Sequence, residues 1–262
     1  MKRFALLGQQ ISESLSPSLH HHAWSTVGTA ARYELWSSTP SGFDAMIERA
    51  RDELAGFNLT APFKRQVIPH LDEQTQRAMA LGSVNAVRVE AGRLIGENTD
   101  IVGVRSSLAV MPKRRGSALV LGSGGVLSSV VTGLLEAGFG PINVCARDRA
   151  SLDARGLPVN TFSFAQRHEL VAAQVLVVNA TPLGGQAQDP LPLESARVGG
   201  ASHWDLVYRA EGTTPWVDLA KRSGIFALDG RLMLCEQAIE SHRFWGLDMQ
   251  AAESMRSLWS FE

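Results

Sequence analysis

Lys64 and Asp100 are the side chains in this sequence best placed to move a proton. Lys64 closes the run Gly56-Phe57-Asn58-Leu59-Thr60-Ala61-Pro62-Phe63-Lys64, which reads as a strand broken at Pro62. In water a lysine is a poor acid–base group because its pKa is about 10; burial or a nearby cation brings it toward working pH. Asp100 closes Glu97-Asn98-Thr99-Asp100, just ahead of a helical stretch. It could orient such a lysine, or it could cap that helix while Lys64 lies on the surface. Ser14 and Ser16, in Ser14-Leu15-Ser16-Pro17, offer a second chemistry. Two hydroxyls at i and i+2 on extended backbone point the same way and could grip one carboxylate. Either serine could instead cap the helix that follows.

A third group of residues suits a phosphorylated ligand. Leu119-Val120-Leu121 runs into Gly122-Ser123-Gly124-Gly125, and a helix begins at Val126. Glycines let backbone approach a pyrophosphate, and a helix N-terminus offers N–H donors and a positive dipole end. The alternative is an ordinary tight strand–helix loop. Leu127 stands where a small residue usually lets such a helix approach its strand, with Ser128 and Ser129 one step further on. The next strand ends Cys145-Ala146-Arg147-Asp148-Arg149. An acidic residue there would hold a ribose 2′-hydroxyl and favour NAD, whereas Arg147 and Arg149 would hold the 2′-phosphate of NADP through charge-assisted bonds. The arginines favour NADP, with NAD the alternative and a solvated surface turn the bland reading. Asn179-Ala180-Thr181-Pro182 ends another buried strand, where ligands of open α/β sheets bind, unless it is only a turn.

The elements that must position these groups alternate. Strands are expected at Phe4 to Leu7, Tyr33 to Ser37, Gly56 to Leu59 and Val84 to Val89, the last turning at Ala91-Gly92 into Leu94-Ile95 as a hairpin. Helices are expected at Ser18 to Thr26, Gly42 to Glu53 and Ile101 to Val110. From Ser117 the alternation is regular. Strands fall at Ala118 to Leu121, Ile142 to Ala146, Val175 to Asn179, Trp204 to Tyr208 and Ile225 to Leu228, and helices at Val126 to Ala137 and Thr214 to Ser223. That pattern implies a parallel sheet covered on both faces. The fold class is therefore α/β: an N-terminal α/β substrate-binding domain over residues 1–103, a Rossmann-like dinucleotide-binding domain over 104–230, and C-terminal helices over 231–262 returning to the first domain. Pro112 and the polar residues around it suit a linker.

Composition narrows the field. The chain has 262 residues, 45% of them hydrophobic, with 25 Lys+Arg against 26 Asp+Glu and a net charge of −1. That balance points to neither nucleic acid nor a membrane surface. The basic cluster Lys113-Arg114-Arg115 reads as a solvated linker. Val171 to Ala180 is far too short to span a bilayer, and the N-terminal apolar run is too short for a signal peptide. Cys145 and Cys235 sit in apolar surroundings and read as free thiols of a cytoplasmic chain. No Cys/His spacing matches a metal motif, and His20, His21 and His22, being adjacent, would diverge on a helix.

Taken in order, these segments resemble the shikimate dehydrogenase family along nearly the whole chain. Ser14-Leu15-Ser16-Pro17 with His20 is similar to the family's Ser-x-Ser-Pro and following His. Asn58-Leu59-Thr60-Ala61-Pro62-Phe63-Lys64 resembles its Asn-Val-Thr-x-Pro-x-Lys, and Val84-Asn85 and Asn98-Thr99-Asp100 its Val-Asn and Asn-Thr-Asp. Asn179-Ala180-Thr181-Pro182, Asp205-Leu206-Val207-Tyr208, Thr214-Pro215, Asp229-Gly230, Met233-Leu234 and Gln237-Ala238 complete the set. The resemblance implies reversible NADPH-dependent reduction of 3-dehydroshikimate to shikimate, in the chorismate route to aromatic amino acids. It implies Lys64 as acid–base group, Asp100 as its partner, Ser14, Ser16 and Tyr208 at the carboxylate, and Thr60, Asn85 and Gln237 at hydroxyls. It implies dinucleotide contacts at Gly122, Ser123, Gly124, Gly125, Val126, Arg147, Arg149, Asn179, Thr181, Leu206, Gly230 and Met233, and no metal. The expected partner is a small molecule, for a monomer or homodimer in the cytoplasm, with no nucleic acid and no membrane. The alternatives are a quinate/shikimate dehydrogenase using NAD(P), or a divergent paralogue that binds substrate with weak activity. The sequence departs from the family's usual pattern at Ser128 (an arginine), Ala146 and Asp148 (Asn and Thr of an Asn-Arg-Thr turn), and Ile101 and Leu232 (glycines).

Overall fold

Strands that bury both faces form the centre of each of two sheets. The computed structural model describes residues 1–186, 188–193 and 201–259. They fall into two units, residues 1–103 with the chain from Leu234 onward, and Val104–Met233.

The first unit contains β1 (Lys2–Gly8), α1 (Ser16–Thr26), β2 (Ala31–Ser37), α2 (Phe43–Glu53), β3 (Gly56–Leu59), α3 (Phe63–Gln66), β4 (Glu73–Gln74), α4 (Gln76–Leu81), β5 (Ala86–Glu90), β6 (Arg93–Glu97) and the start of α5 (Asp100–Ala109). Its six strands lie in the order β2-β1-β3-β5-β6-β4. β1 runs parallel to β2 and β3, and β5 runs antiparallel to both of its neighbours, β3 and β6. The period of two along β1 separates two cores: Ala5 and Leu7 join one cluster, Phe4 and Leu6 another. Helix α2 supplies Phe43, Met46, Ile47 and Ala50 to the first, an i, i+3, i+4, i+7 stripe. Each large apolar side chain so buried stabilises the unit by about 1.5–3 kcal/mol. The hairpin between β5 and β6 turns at Ala91 and Gly92, with φ of 51° and 75°. Two positive φ values in a two-residue loop match the right-handed twist of the strands.

The second unit contains β7 (Ala118–Leu121), α6 (Leu127–Glu136), β8 (Ile142–Ala146), α7 (Arg149–Asp153), β9 (Asn160–Ser163), α8 (Arg167–Leu170), β10 (Leu176–Asn179), β11 (Ser202–Asp205), α9 (Pro215–Arg222) and β12 (Ala227–Leu228). All six strands are parallel, ordered β12-β11-β10-β7-β8-β9. This is the doubly wound Rossmann order, and its switch point lies between β7 and β10, where ligands bind at the strands' C-terminal ends. Helix α9 buries Trp216, Val217 and Ala220, and Thr214 caps it by accepting from Val217 N. Helix α10 (Arg231–Phe244) carries the chain back to the first unit, and α11 (Met249–Ser254) follows. There Cys235, Ala238 and Ile239 of α10 pack with Leu19 and Ala23 of α1 and with Ala251 and Ala252 of α11. Among the described residues no helix is long and apolar enough to cross a membrane.

Several expected bounds shift by two or three residues. Helix α1 begins at Ser16 rather than Ser18, with Pro17 in its first turn, where a missing N–H costs nothing. Strand β5 begins at Ala86 rather than Val84, because Val84 N bonds to Lys64 O instead of to the ladder. Strand β11 ends at Asp205 rather than Tyr208, because the Asp205 side chain accepts from Val207 N and turns the chain. The pieces of two to six residues, such as β4, α4 and α7, carry too few periods to show in the sequence pattern.

Candidate active site

Strand register places the acid–base candidates at one end of the first sheet. β1 ends at Gly8 and β3 at Leu59, both at that edge, since Leu7 pairs with Leu59. β5 runs the opposite way, so its start lies there too, and Leu59 N bonds to Asn85 O. Ala86 pairs with Glu97, so β6 ends at the same edge and delivers Asn98, Thr99 and Asp100. Gly8 permits the convergence: a Cβ there would lie 2.4 Å from Ile11 Cγ2 and 2.5 Å from Thr60 Cγ2.

Lys64 rides on α3, anchored by the fully buried Phe63 and Val67. Its Nζ donates to Asp100 Oδ2 at 2.6 Å, and the two side chains keep 13% and 4% exposure. Asp100 therefore does not cap α5; Asn98 Oδ1 accepts from Ile101 N and takes that role. The other carboxylate oxygen, Oδ1, accepts from Asn85 Nδ2 at 3.0 Å. Asn85 Nδ2 also lies 2.9 Å from Thr99 Oγ1 and 3.2 Å from Gln237 Oε1. The network continues inward. Thr99 Oγ1 meets Ser241 Oγ, Asn58 Nδ2 donates to Ser241 Oγ and to Asn85 O, and Tyr33 donates its hydroxyl proton to Asn58 Oδ1. Of the three N–H bonds of the Lys64 ammonium, Asp100 takes one. The others can reach a ligand oxygen.

Ser14 Oγ donates to Ser16 Oγ at 3.2 Å, and Ser16 is buried. The backbone between them is not extended: Leu15 has φ −83° and ψ −3°. A helical turn, not a strand, brings the hydroxyls together. Thr60 follows β3 and is half-buried. Gln237 lies on α10 and donates Nε2 to Leu234 O. His20 is fully buried, stacked on Tyr33 with ring centroids 4.1 Å apart, and its Nδ1 lies 2.9 Å from His242 Nε2. His21 accepts from Tyr33 N and His22 meets Ser257, so the three rings diverge.

The remaining candidates belong to the second unit, at the C-terminal ends of its strands. Gly122 follows β7 with φ 106°, and a Cβ there would lie 2.8 Å from Ala180 O. Only glycine fits. A Cβ on Gly124 would meet nothing within 4 Å, so the turn is open above that residue. Helix α6 starts at Leu127 with Val126 ahead of it and no side-chain cap; Leu127 N donates to Gly124 O, and the positive end of the helix dipole faces the turn. After β8, Arg147 is exposed and no partner holds its guanidinium among the described residues. Asp148 caps α7, accepting from Ser151 N at 2.9 Å. Arg149 reaches Thr161 Oγ1 and lies 3.7 Å from Asp153. These features fit a dinucleotide: a glycine cradle, an uncapped helix start and a cation past the next strand.

Asn179 and Gly230 also shape the chain around them. Asn179 is fully buried; its Nδ2 donates to Asp205 Oδ1 and Leu183 O, and its Oδ1 accepts from Thr181 N and Oγ1. It shapes the loop that carries Thr181. Gly230 lets the chain pass Leu206, whose carbonyl oxygen would lie 2.2 Å from a Cβ. Met233 is buried, and Tyr208 is half-buried just beyond β11. Burial pushes the Asp205 carboxyl up to about 6, against the bonds it accepts from Thr214 Oγ1, Val207 N and Asn179.

With this geometry in place, the relatives decide the family. Residues 6–87 match the shikimate dehydrogenase substrate binding domain. A shikimate dehydrogenase (NADP(+)) of Rubrobacter xylanophilus is 34% identical over 97% of this chain and 94% of its own length. The chain belongs to the shikimate dehydrogenase family. Solved structures agree. Shikimate dehydrogenase from Thermotoga maritima superposes with a TM-score of 0.84 at 30% identity, covering 98% of this chain and 99% of that one. Shikimate 5-dehydrogenase from Thermus thermophilus, in complex with NADP(H) and shikimate, gives 0.81 at 31% identity, covering 99% and 100%.

Within this shikimate dehydrogenase fold, sequence reasoning overlooked Tyr33, Thr99, Ser241 and Arg155. Ser241 lies four residues after Gln237 on one helix, so it shares that face and could have been found. Arg155 carried no signal, because a short helix separates it from the turn it touches.

Proposed function

We propose that this chain is an NADP-dependent shikimate dehydrogenase that reduces 3-dehydroshikimate reversibly to shikimate. The observation that carries the reading is the buried Lys64–Asp100 pair, 2.6 Å apart, at the sheet edge where Thr60 and Asn85 also emerge. Lys64 delivers a proton from Nζ to the oxygen of the 3-keto group as that carbon is reduced, so negative charge does not accumulate on the oxygen. Asp100 fixes the direction of that N–H through Oδ2, and Asn85 fixes Asp100 through Oδ1. NADPH, when bound, supplies the hydride.

Ser14 and Ser16 grip the substrate carboxylate. Thr60, Asn85, Asp100 and Gln237 take the ring hydroxyls. A site built to pair hydroxyls rejects analogues lacking them strongly, since its own buried polar groups would be stranded. For the cofactor, Gly122, Ser123, Gly124, Gly125 and Val126 would hold the pyrophosphate, with Thr181, Leu206 and Met233 beyond it and Arg149 beside the ribose. Arg147 would hold the 2′-phosphate. Asp148, the acidic residue that could have accepted a ribose 2′-hydroxyl, is engaged in capping α7, which favours NADP over NAD. The free, buried Cys145 and Cys235 suit a reducing compartment, and the reading places the protein in the cytoplasm as a monomer or homodimer.

Initial rates with shikimate or quinate, each with NADP or NAD, test this. Fast turnover only with shikimate and NADP is expected. Preference for quinate or NAD would move the protein to another branch of the same chemistry.

A further inference from the structure

We propose that Arg155 is the cationic brace of the dinucleotide site, positioning the glycine turn for a pyrophosphate. This rests on the dinucleotide reading above. Arg155 lies beyond the end of α7 and is half-buried. Its Nη1 donates to Ser123 O at 2.9 Å and to Gly124 O at 3.3 Å, and its Nη2 to Ser128 Oγ at 2.9 Å. One guanidinium thus joins two carbonyls of the turn to the first turn of α6.

The planar peptide gives this grip a consequence. In a trans peptide the carbonyl and the following N–H point opposite ways. Holding the carbonyl of Ser123 on Arg155's side turns the N–H of Gly124 to the other side, while the Gly124 carbonyl is shared between Arg155 and Leu127 N. That is the arrangement a phosphate needs, with a donor forward and lone pairs behind. A carbonyl free to rotate forward would repel the same anion. The guanidinium also leaves a full positive charge directly behind the turn, where it favours an anion in front.

The chain delivers Arg155 there by local means. Asp148 caps α7, Leu152 buries beneath it, Arg155 N returns to Leu152 O, and Gly156 leaves the turn at φ 62°. The same short helix begins beside Arg147, so it links the 2′-phosphate end of the site to the pyrophosphate end. The two arginines should therefore divide the work. Arg147 reads the group that distinguishes NADP from NAD, and Arg155 serves what both share.

Fluorescence titration of the purified protein with NADPH and with NADH, without substrate, tests the division. Arg155→Ala should weaken both by a similar factor of about ten or more, the scale of lost charge-assisted bonds. Arg155→Lys should recover part of the loss by keeping the charge, and Arg155→Gln, which can donate but carries no charge, should recover less. A brace of purely structural value would treat Lys and Gln alike. Should Arg155→Ala fail to fold, the Lys and Gln variants carry the test. Unchanged affinity for both dinucleotides, a loss confined to NADPH, or equal behaviour of Lys and Gln would overturn the assignment. If the wild type binds neither dinucleotide, the functional reading falls and takes this one with it; wild-type binding with unaffected variants overturns the brace alone.

Discussion

The two units prepare for their ligands by different means. In the first, side chains hold side chains: Lys64, Asp100, Asn85, Thr99, Ser241, Asn58 and Tyr33 form one chain of hydrogen bonds, most of it buried. In the second, backbone does the shaping. Gly122 and Gly230 allow close approach, Asn179 is used up inside its loop, and Arg147 stands exposed. A buried network has little tolerance, because stranding one partner costs about 1–3 kcal/mol. A backbone cradle tolerates any side chain that points away. That contrast accounts for most of the places where this chain departs from its family. On the substrate side only the glycine after Asn98-Thr99-Asp100 is exchanged, for Ile101, whereas Ser128, Ala146, Asp148 and Leu232 are exchanged in the second unit.

The largest effect should come from the centre of the network. Lys64→Ala should lower kcat by about 10²-fold or more, the scale of lost acid–base catalysis, while substrate still binds in an equilibrium titration. Undiminished turnover would remove Lys64 from its role. The backbone side calls for a different substitution. Gly122→Ala imposes φ 106° on a residue with a Cβ and drives that atom to 2.8 Å from Ala180 O. Strain of about 1–3 kcal/mol should follow, read as a lower Tm and NADPH affinity reduced some tens-fold, whereas Ser123→Ala should change little. Equal effects of the two would break the distinction between backbone and side-chain design.

The same distinction governs what could be read from sequence. The Rossmann half was legible as a rhythm of strands and helices, because β7, β8 and β10 bury both faces and read as plain apolar runs. Lys64, Asp100 and Asn85 could be named because they sit in short motifs at strand ends. Their mutual geometry could not be, since it depends on the antiparallel β5 and β6 reversing two motifs onto the edge where β3 ends. The serine pair shows a correct grouping reached through the wrong backbone: the hydroxyls meet, but across a helical turn. Arg155 lay beyond reach altogether, because two of its partners are main-chain carbonyls that no residue type announces.

On the cofactor side, Arg147→Ala should weaken NADPH about tenfold, the scale of lost charge-assisted bonds, and leave NADH unchanged. Asp148→Asn should preserve selectivity, since asparagine also caps a helix. If the Asp148 variant shifted preference between NADPH and NADH, the aspartate would be reading the ribose rather than capping α7.

The smallest effect compares the units by their response to acid. The first contains the buried pair His20 and His242; desolvation holds His20 well below its usual value, with His242 beside it adding to the shift, and burial brings His242 down to about 4. The second contains His203, lowered by burial to about 4, and Asp205, raised by burial to about 6. A histidine kept neutral by folding costs no stability above about pH 6.5. Below it, the unfolded chain takes up protons that the buried ring refuses, so stability falls until the folded pKa is reached. Asp205 works the other way. Between pH 6 and 4 the folded state binds its proton first and gains stability as pH drops. In the second unit the two contributions oppose each other over the same window. In the first, both histidines act in one direction, and Glu34, pulled down to about 2 by Arg3, adds a loss of the same sign at lower pH. Hydrogen exchange between pH 6.5 and 5, corrected for its intrinsic pH dependence, should therefore show protection falling faster in β1, α1 and α10 than in β10 and β11. Equal loss in both units would mean that Asp205 does not offset His203. Faster loss in the second unit would mean that the histidine pair shares a proton across its 2.9 Å contact instead of excluding it.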